Sequence, residues 1–87
     1  MSETLGARIR RARVRYGMSQ AELARRIGIS TQGMNMIERG ATPDPAVSRV
    51  REIARVLKVR ADYLLGLTEK MDSDLLPTTP ALAGSAV

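Results

Sequence analysis

Cysteine and histidine are both absent from the 87 residues. Without cysteine there is no disulfide framework and no thiolate metal site, and without histidine the usual zinc ligand and the commonest general base are gone. The carboxylates are scattered along what read as helix surfaces, so no nucleophile and base come together and an enzyme is not expected. No metal or cofactor is expected either. Phenylalanine and tryptophan are missing and tyrosine occurs twice. No stretch alternates with period two and no Asn-Gly or Asp-Gly hairpin dipeptide appears, which argues against strands and for an all-α chain. Apolar runs are only a few residues long, and the opening MSETLGARIRRARV lacks the apolar stretch of a signal peptide. A soluble, cytoplasmic protein without membrane contact is expected.

Basic residues are plentiful. Fourteen Lys and Arg stand against nine Asp and Glu, all but two of the fourteen being arginine, and the pI is near 10.7. The excess is uneven: residues 1–67 hold 13 basic and 6 acidic side chains, whereas residues 68–87 hold 1 and 3. A cationic, arginine-rich domain suits a polyanion, because guanidinium offers phosphate a planar fork of donors. The same charge also suits an ordinary solvated surface. The length allows one small domain, taken as residues 1–67, with residues 68–87 as a flexible, proline-bearing tail.

Glycines at 17, 28, 40 and 66 each follow a stretch whose apolar residues recur three or four apart, the place for a left-handed helix terminator. Five short helices are expected. The first runs from about Thr4 to Tyr16, with Leu5, Ile9 and Ala12 inward and Arg8, Arg11 and Arg15 outward. The second opens on Ser19-Gln20-Ala21-Glu22, read as a capping box in which Glu22 reaches back to the Ser19 amide. The third is capped by Ser30, turns Met34 and Ile37 inward and ends at Gly40. Asp44 is expected to cap the fourth, with Pro45 at its first position and Val47, Val50, Ile53, Ala54 and Leu57 as its stripe. A last turn spans Ala61 to Leu65.

The second and third helices are joined by little more than Gly28-Ile29, so they must cross steeply, as in a helix-turn-helix unit over 20–39. Here Met18-Ser19-Gln20-x-Glu22-Leu23-Ala24, Ile27-Gly28-Ile29-Ser30 and Ile37-Glu38-Arg39-Gly40 resemble the phage repressor and Cro class of helix-turn-helix domains, the XRE family. The likeness runs from about Leu5 to Leu65 and takes in Ile53-Ala54-x-x-Leu57-x-Val59 and Asp62-Tyr63-Leu64-Leu65. It implies a compact five-helix bundle of the lambda-repressor-like type.

With Met34 and Ile37 inward, the third helix leaves Thr31, Gln32, Gly33, Asn35 and Met36 to face outward, all uncharged. Such residues suit base readout, since a glutamine amide pairs bidentately with adenine and threonine or methionine packs on a thymine methyl. The resemblance implies base contacts from Thr31, Gln32 and Met36 with a backbone approach at Gly33, and phosphate contact from Gln20. Gly33 stands where serine or threonine is usual, and Met36 where a longer polar or basic residue is usual. Ser30, Asn35, Arg39 and Thr42 are further candidates for the DNA backbone. The resemblance also implies a structural ion pair between Arg13 and Glu38, and a dimer surface drawing on Val59, Ala61, Leu64 and Leu67, with Leu75 and Leu76 of the tail. Leu64 and Leu65 cannot both lie inside so small a bundle.

The expectation is therefore a sequence-specific regulator, most simply a repressor, bacterial or from a phage, that binds a palindromic operator in double-stranded DNA as a homodimer. The tail is too short for a ligand-binding or self-cleaving module. The alternative is an antitoxin or adaptor whose tail, through Leu75-Leu76, binds a partner protein.

Overall fold

Three hydroxyl side chains start the first three helices. Thr4, Ser19 and Ser30 each accept from the amide three residues on, at 3.1, 3.0 and 2.9 Å, covering one of the donors that a helix N-terminus leaves open. The structure, a computed structural model, describes residues 3–41 and 45–71. Among them the chain forms α1 (Leu5–Tyr16), α2 (Gln20–Ile27), α3 (Thr31–Arg39), α4 (Val47–Leu57) and α5 (Ala61–Leu64), with no strand. Thr42, the expected Asp44 cap and Leu75-Leu76 lie outside the described residues.

The turn between α2 and α3 depends on Gly28, whose φ of 78° is a left-handed conformation that a side chain would strain. There the Gly28 and Ile29 amides close back onto Ala24 and Arg25 carbonyls. α4 ends without a glycine, on Lys58 at φ 58°.

The core gathers one stripe from each helix: Ile9 and Ala12, then Leu23, Ala24 and Ile27, then Met34, then Val50, Ile53, Ala54 and Leu57, closed by Tyr63 and Leu64. Each fully buried aliphatic side chain contributes about 1.5–3 kcal/mol. α3 packs on α1 and α2, α4 packs on both of these, and α5 folds back over α1 and α4.

Four expectations are corrected. Glu22 does not reach back to Ser19; its carboxylate takes Arg25 and, at 2.8 Å, Arg26, both on the same exposed face. Those two arginines, Arg26 foremost, hold the Glu22 carboxyl below the usual carboxylate range. α4 begins at Val47, with Ala46 at the N-cap and no side-chain cap among the described residues. Pro45 precedes the helix and is half-buried where it lines a surface notch facing α3.

Arg8 is not on the solvent face but is 1% exposed. Positions 5, 8, 9 and 12 share a helical face, so spacing turns Arg8 inward whatever its charge. The charge is satisfied there by chain that follows α4: Nη1 donates to Tyr63 O at 3.2 Å and Thr68 O at 3.4 Å, and Nη2 to Glu69 Oε2 at 3.0 Å. The guanidinium also lies 4.9 Å from the Tyr63 ring centre, within cation-π range. Tyr63 Oη and Arg8 Nε are buried without a partner, and burial foremost pushes the Tyr63 hydroxyl above its usual range.

The fourth correction concerns the expected domain end at 67. Thr68 and Glu69 are fastened by Arg8, the Arg60 amide donates to Met71 O at 2.9 Å, and Met71 packs on the core. Residues 68–71 therefore belong to the folded unit.

Candidate nucleic-acid interface

α3 is anchored along one side and open along the other. Met34 is fully buried and Glu38 is 8% exposed, while Thr31, Gln32, Met36 and Arg39 are exposed and Gly33 and Asn35 are half-buried. The outward face from 31 to 37 carries no charge, and Arg39 supplies a cation at its end. An uncharged polar face on a helix backed by its own core is the form needed to enter a groove about 12 Å wide and meet base edges.

Arg13 and Glu38 fix the far end of that helix. Arg13 Nε and Nη2 meet Glu38 Oε2 and Oε1 at 2.7 and 3.2 Å, the side chains being 11% and 3% exposed. Arg13 Nη1 donates to Met18 O at 2.9 Å. A two-pronged pair of this kind orients both side chains, and leaving either charge alone when so buried costs about 3–5 kcal/mol. The pair joins α1 to α3 and, through Met18, to the start of α2.

Gln20 stands differently from its expected part. Its side-chain amide donates to Glu38 Oε1 at 3.1 Å, so that group is turned toward the ion pair, and an anion at this helix start would meet backbone amides instead. The Ser30 hydroxyl is occupied as an acceptor by the Gly33 amide, which leaves its own O–H to donate.

Leu64 leaves the expected dimer surface, being 1% exposed in the core, whereas Leu65 is 43% exposed. A single turn of α5 cannot turn both residues inward. Leu67 at 73% and Val47 at 59% are also open, and Val59 and Ala61 are half-buried against the core. Leu65 and Val47 line a groove of about 340 Å³ with Leu5, Pro45 and Gly66.

Two residues near the interface were not singled out from sequence. Arg49, on the first turn of α4, donates to Ile27 O at 2.7 Å. Its local partner Glu52 is readable as an i,i+3 pair, but a contact to a backbone carbonyl 22 residues away leaves no signal in the pattern. Gly6 lets α1 approach the last carbonyls of α3; a glycine inside a helical pattern is a cue to close packing without saying against what.

Two short helices packed together around a left-handed glycine, with the second anchored by an apolar side chain and a buried ion pair, define a helix-turn-helix domain. The helix-turn-helix family model matches residues 9–64, and the chain belongs to this family, of the Cro/C1 type. It is 40% identical over 68 residues to an uncharacterized transcriptional regulator in the ATPase CF(0) region of Rhodospirillum rubrum, spanning 78% of this chain and 62% of that protein's length. Among solved structures, it is similar to the master regulator for biofilm formation SinR in complex with DNA, at 31% identity and TM-score 0.67, over 71% of this chain and 98% of the other. It is also similar to the P22 c2 repressor in complex with a synthetic operator, at 28% identity and TM-score 0.69, over 77% and 100%.

Proposed function

We propose that the chain is a regulator of transcription that binds double-stranded DNA by laying α3 in the major groove. The observation that carries this is the uncharged polar outer face of α3 set against its fixed inner face. That SinR and the P22 c2 repressor share the fold and are seen on DNA supports it. Gln32 supplies the main base contact, pairing with adenine, with Thr31 and Met36 against thymine methyls and Gly33 admitting a close backbone approach. Gln20 through its backbone amide, Ser30, Asn35, Arg39 and Thr42 grip phosphates and set register without reading sequence. Arg13 and Glu38 serve the fold rather than the DNA.

One such helix reads only a few base pairs, so a two-fold pair on a palindrome is the natural working unit, acting in the cytoplasm as a repressor that occludes a promoter. Its self-association surface is built from Leu65, Leu67 and Val47, flanked by Val59 and Ala61. Selection of preferred duplexes from a random DNA library at one fixed salt concentration, with wild type and Gln32→Ala side by side, tests this. An enriched palindrome is expected, with discrimination at one base position weakened by about 1–3 kcal/mol in the variant. Salt-sensitive affinity with no enriched sequence would sink the reading.

A further inference from the structure

Among the described residues no side chain caps α4: Ala46 accepts through its carbonyl from the Arg49 and Val50 amides, and the earlier amides of the helix have no side-chain partner. Between this helix start and α3 lies a notch of about 360 Å³, with Ile29, Gly33 and Ile37 on one side and Pro45, Ser48 and Arg49 on the other. Among the described residues no hydrogen bond or ion pair crosses the notch to join α3 to the start of α4.

Arg49 provides support from another direction. Its Nη1 donates at 2.7 Å to the carbonyl of Ile27, the last residue of α2. The Gly28 terminator leaves that carbonyl open, because the Gly28 and Ile29 amides bond to Ala24 and Arg25. A guanidinium there also meets the negative end of the α2 dipole. Glu52 Oε1, 3.4 Å from the same Nη1, steers the side chain from within α4.

We infer that Arg49 is a positioning residue for DNA binding. Through Ile27 it ties the turn of the helix-turn-helix to α4 and so sets where the start of α4 lies beside α3. This rests on α3 being the reading helix. Phosphate contacts help only when they are in register with the base contacts, so slack at this joint lowers affinity and leaves base preference alone. Arg49 acts through the Ile27 carbonyl, and its charge is not required by a phosphate.

The test compares the wild-type chain with Arg49→Met and with a chemically assembled chain carrying citrulline at 49, which keeps one terminal NH2 as a donor, has an oxygen in place of the other, and loses the charge. Each is titrated on the duplex that the wild type selects, over a range of salt. Arg49→Met is expected to bind roughly tenfold more weakly, the scale of ordering a loose segment on binding, with base preference unchanged. Its amides at positions 49 and 50, which bond to Ala46 O in the wild type, exchange faster while the thermal melt stays cooperative. Citrulline is expected to bind within about threefold of wild type, since its donor remains. Should Arg49→Met not fold, Arg49→Lys takes its place, keeping the charge without the planar fork and binding more weakly than citrulline. Arg49→Met binding like wild type overturns the inference. So does citrulline losing affinity alongside methionine with a salt slope reduced by about 0.9, which marks a direct phosphate contact. A wild type that selects no duplex overturns the reading of α3 and this inference together, which separates that failure from one seen only in the variants.

Discussion

A methyl group at position 6 would strike two backbone oxygens. A Cβ there would stand 2.4 Å from both Ile37 O and Glu38 O, whereas at Gly33, also helical, it would meet side-chain atoms, Ser30 Oγ at 3.2 Å and Ile29 Cδ1 at 3.9 Å. Gly6→Ala is expected to lower stability by about 1–3 kcal/mol, because the atoms that must yield are backbone. Gly33→Ala should stay within about 1 kcal/mol of wild type, gained helix propensity offsetting a small shift of the serine cap. Thermal melts of the two variants decide it, and a Gly6→Ala chain melting as high as wild type would remove the close approach. At this scale the sequence is readable where spacing speaks and misleading where residue type does. Arg8 carries a charge that says surface and a position that says core, and position prevails because carbonyls and a carboxylate remote in sequence receive it. Leu64 and Leu65 are alike in type, and only the direction in which α5 folds back separates them. The neutral face of α3 could be read because it depends on helical spacing alone. The commitment of Gln20 to Glu38 could not, since it needs the crossing of two helices.

Helix ends show the same division. The starts of α1, α2 and α3 follow from a hydroxyl residue in the right place, and their ends from glycine, so three of the five helices were legible nearly to the residue. The start of α4 was not: the pair Asp44-Pro45 puts it at Pro45, whereas the helix begins at Val47 and its first turn hangs from the Ala46 carbonyl. An N-cap side chain is worth about 1 kcal/mol, so this helix start has stability to gain. Ala46→Ser and Ala46→Asp are both expected to raise the melting temperature by that amount of free energy. On DNA they should part, the serine variant binding like wild type and the aspartate variant more weakly, because a carboxylate would face phosphates across the open amides. Titration of both on one duplex checks this, and equal affinities would place the start of α4 away from the DNA backbone.

At the scale of the whole molecule, Arg8 is the longest-range side-chain tie among the described residues, joining α1 to residues 55, 60 and 61 positions later. A chain ending at Leu67 loses the Thr68 and Glu69 partners and leaves a buried guanidinium short of acceptors. It is expected to be less stable than a chain ending at Met71 by about 1.5–3 kcal/mol, the range for hydrogen bonds to a charged group. Denaturant melts of the two truncations measure the difference, and matching midpoints would mean that water serves Arg8 as well as the chain does. The composition shift at 68 marked where periodicity stops, which is a different place from where packing stops. Two backbone carbonyls, Thr68 O and Met71 O, share the holding there with the Glu69 carboxylate, and a carbonyl has no letter in the sequence.

That tie also bears on the order in which the fold is completed during synthesis. A ribosome feeds out the chain from its N-terminus at roughly 5–20 residues per second, so α1, α2 and α3 all emerge before Tyr63, Thr68 and Glu69. Until those residues are out, the Arg8 charge on the packing face of α1 lacks the acceptors that the later chain gives it. A nascent chain that has already displayed its entire helix-turn-helix is therefore expected to hold it less firmly than the longer chain does. The last of that stability comes with residue 69, well after the motif itself has been translated.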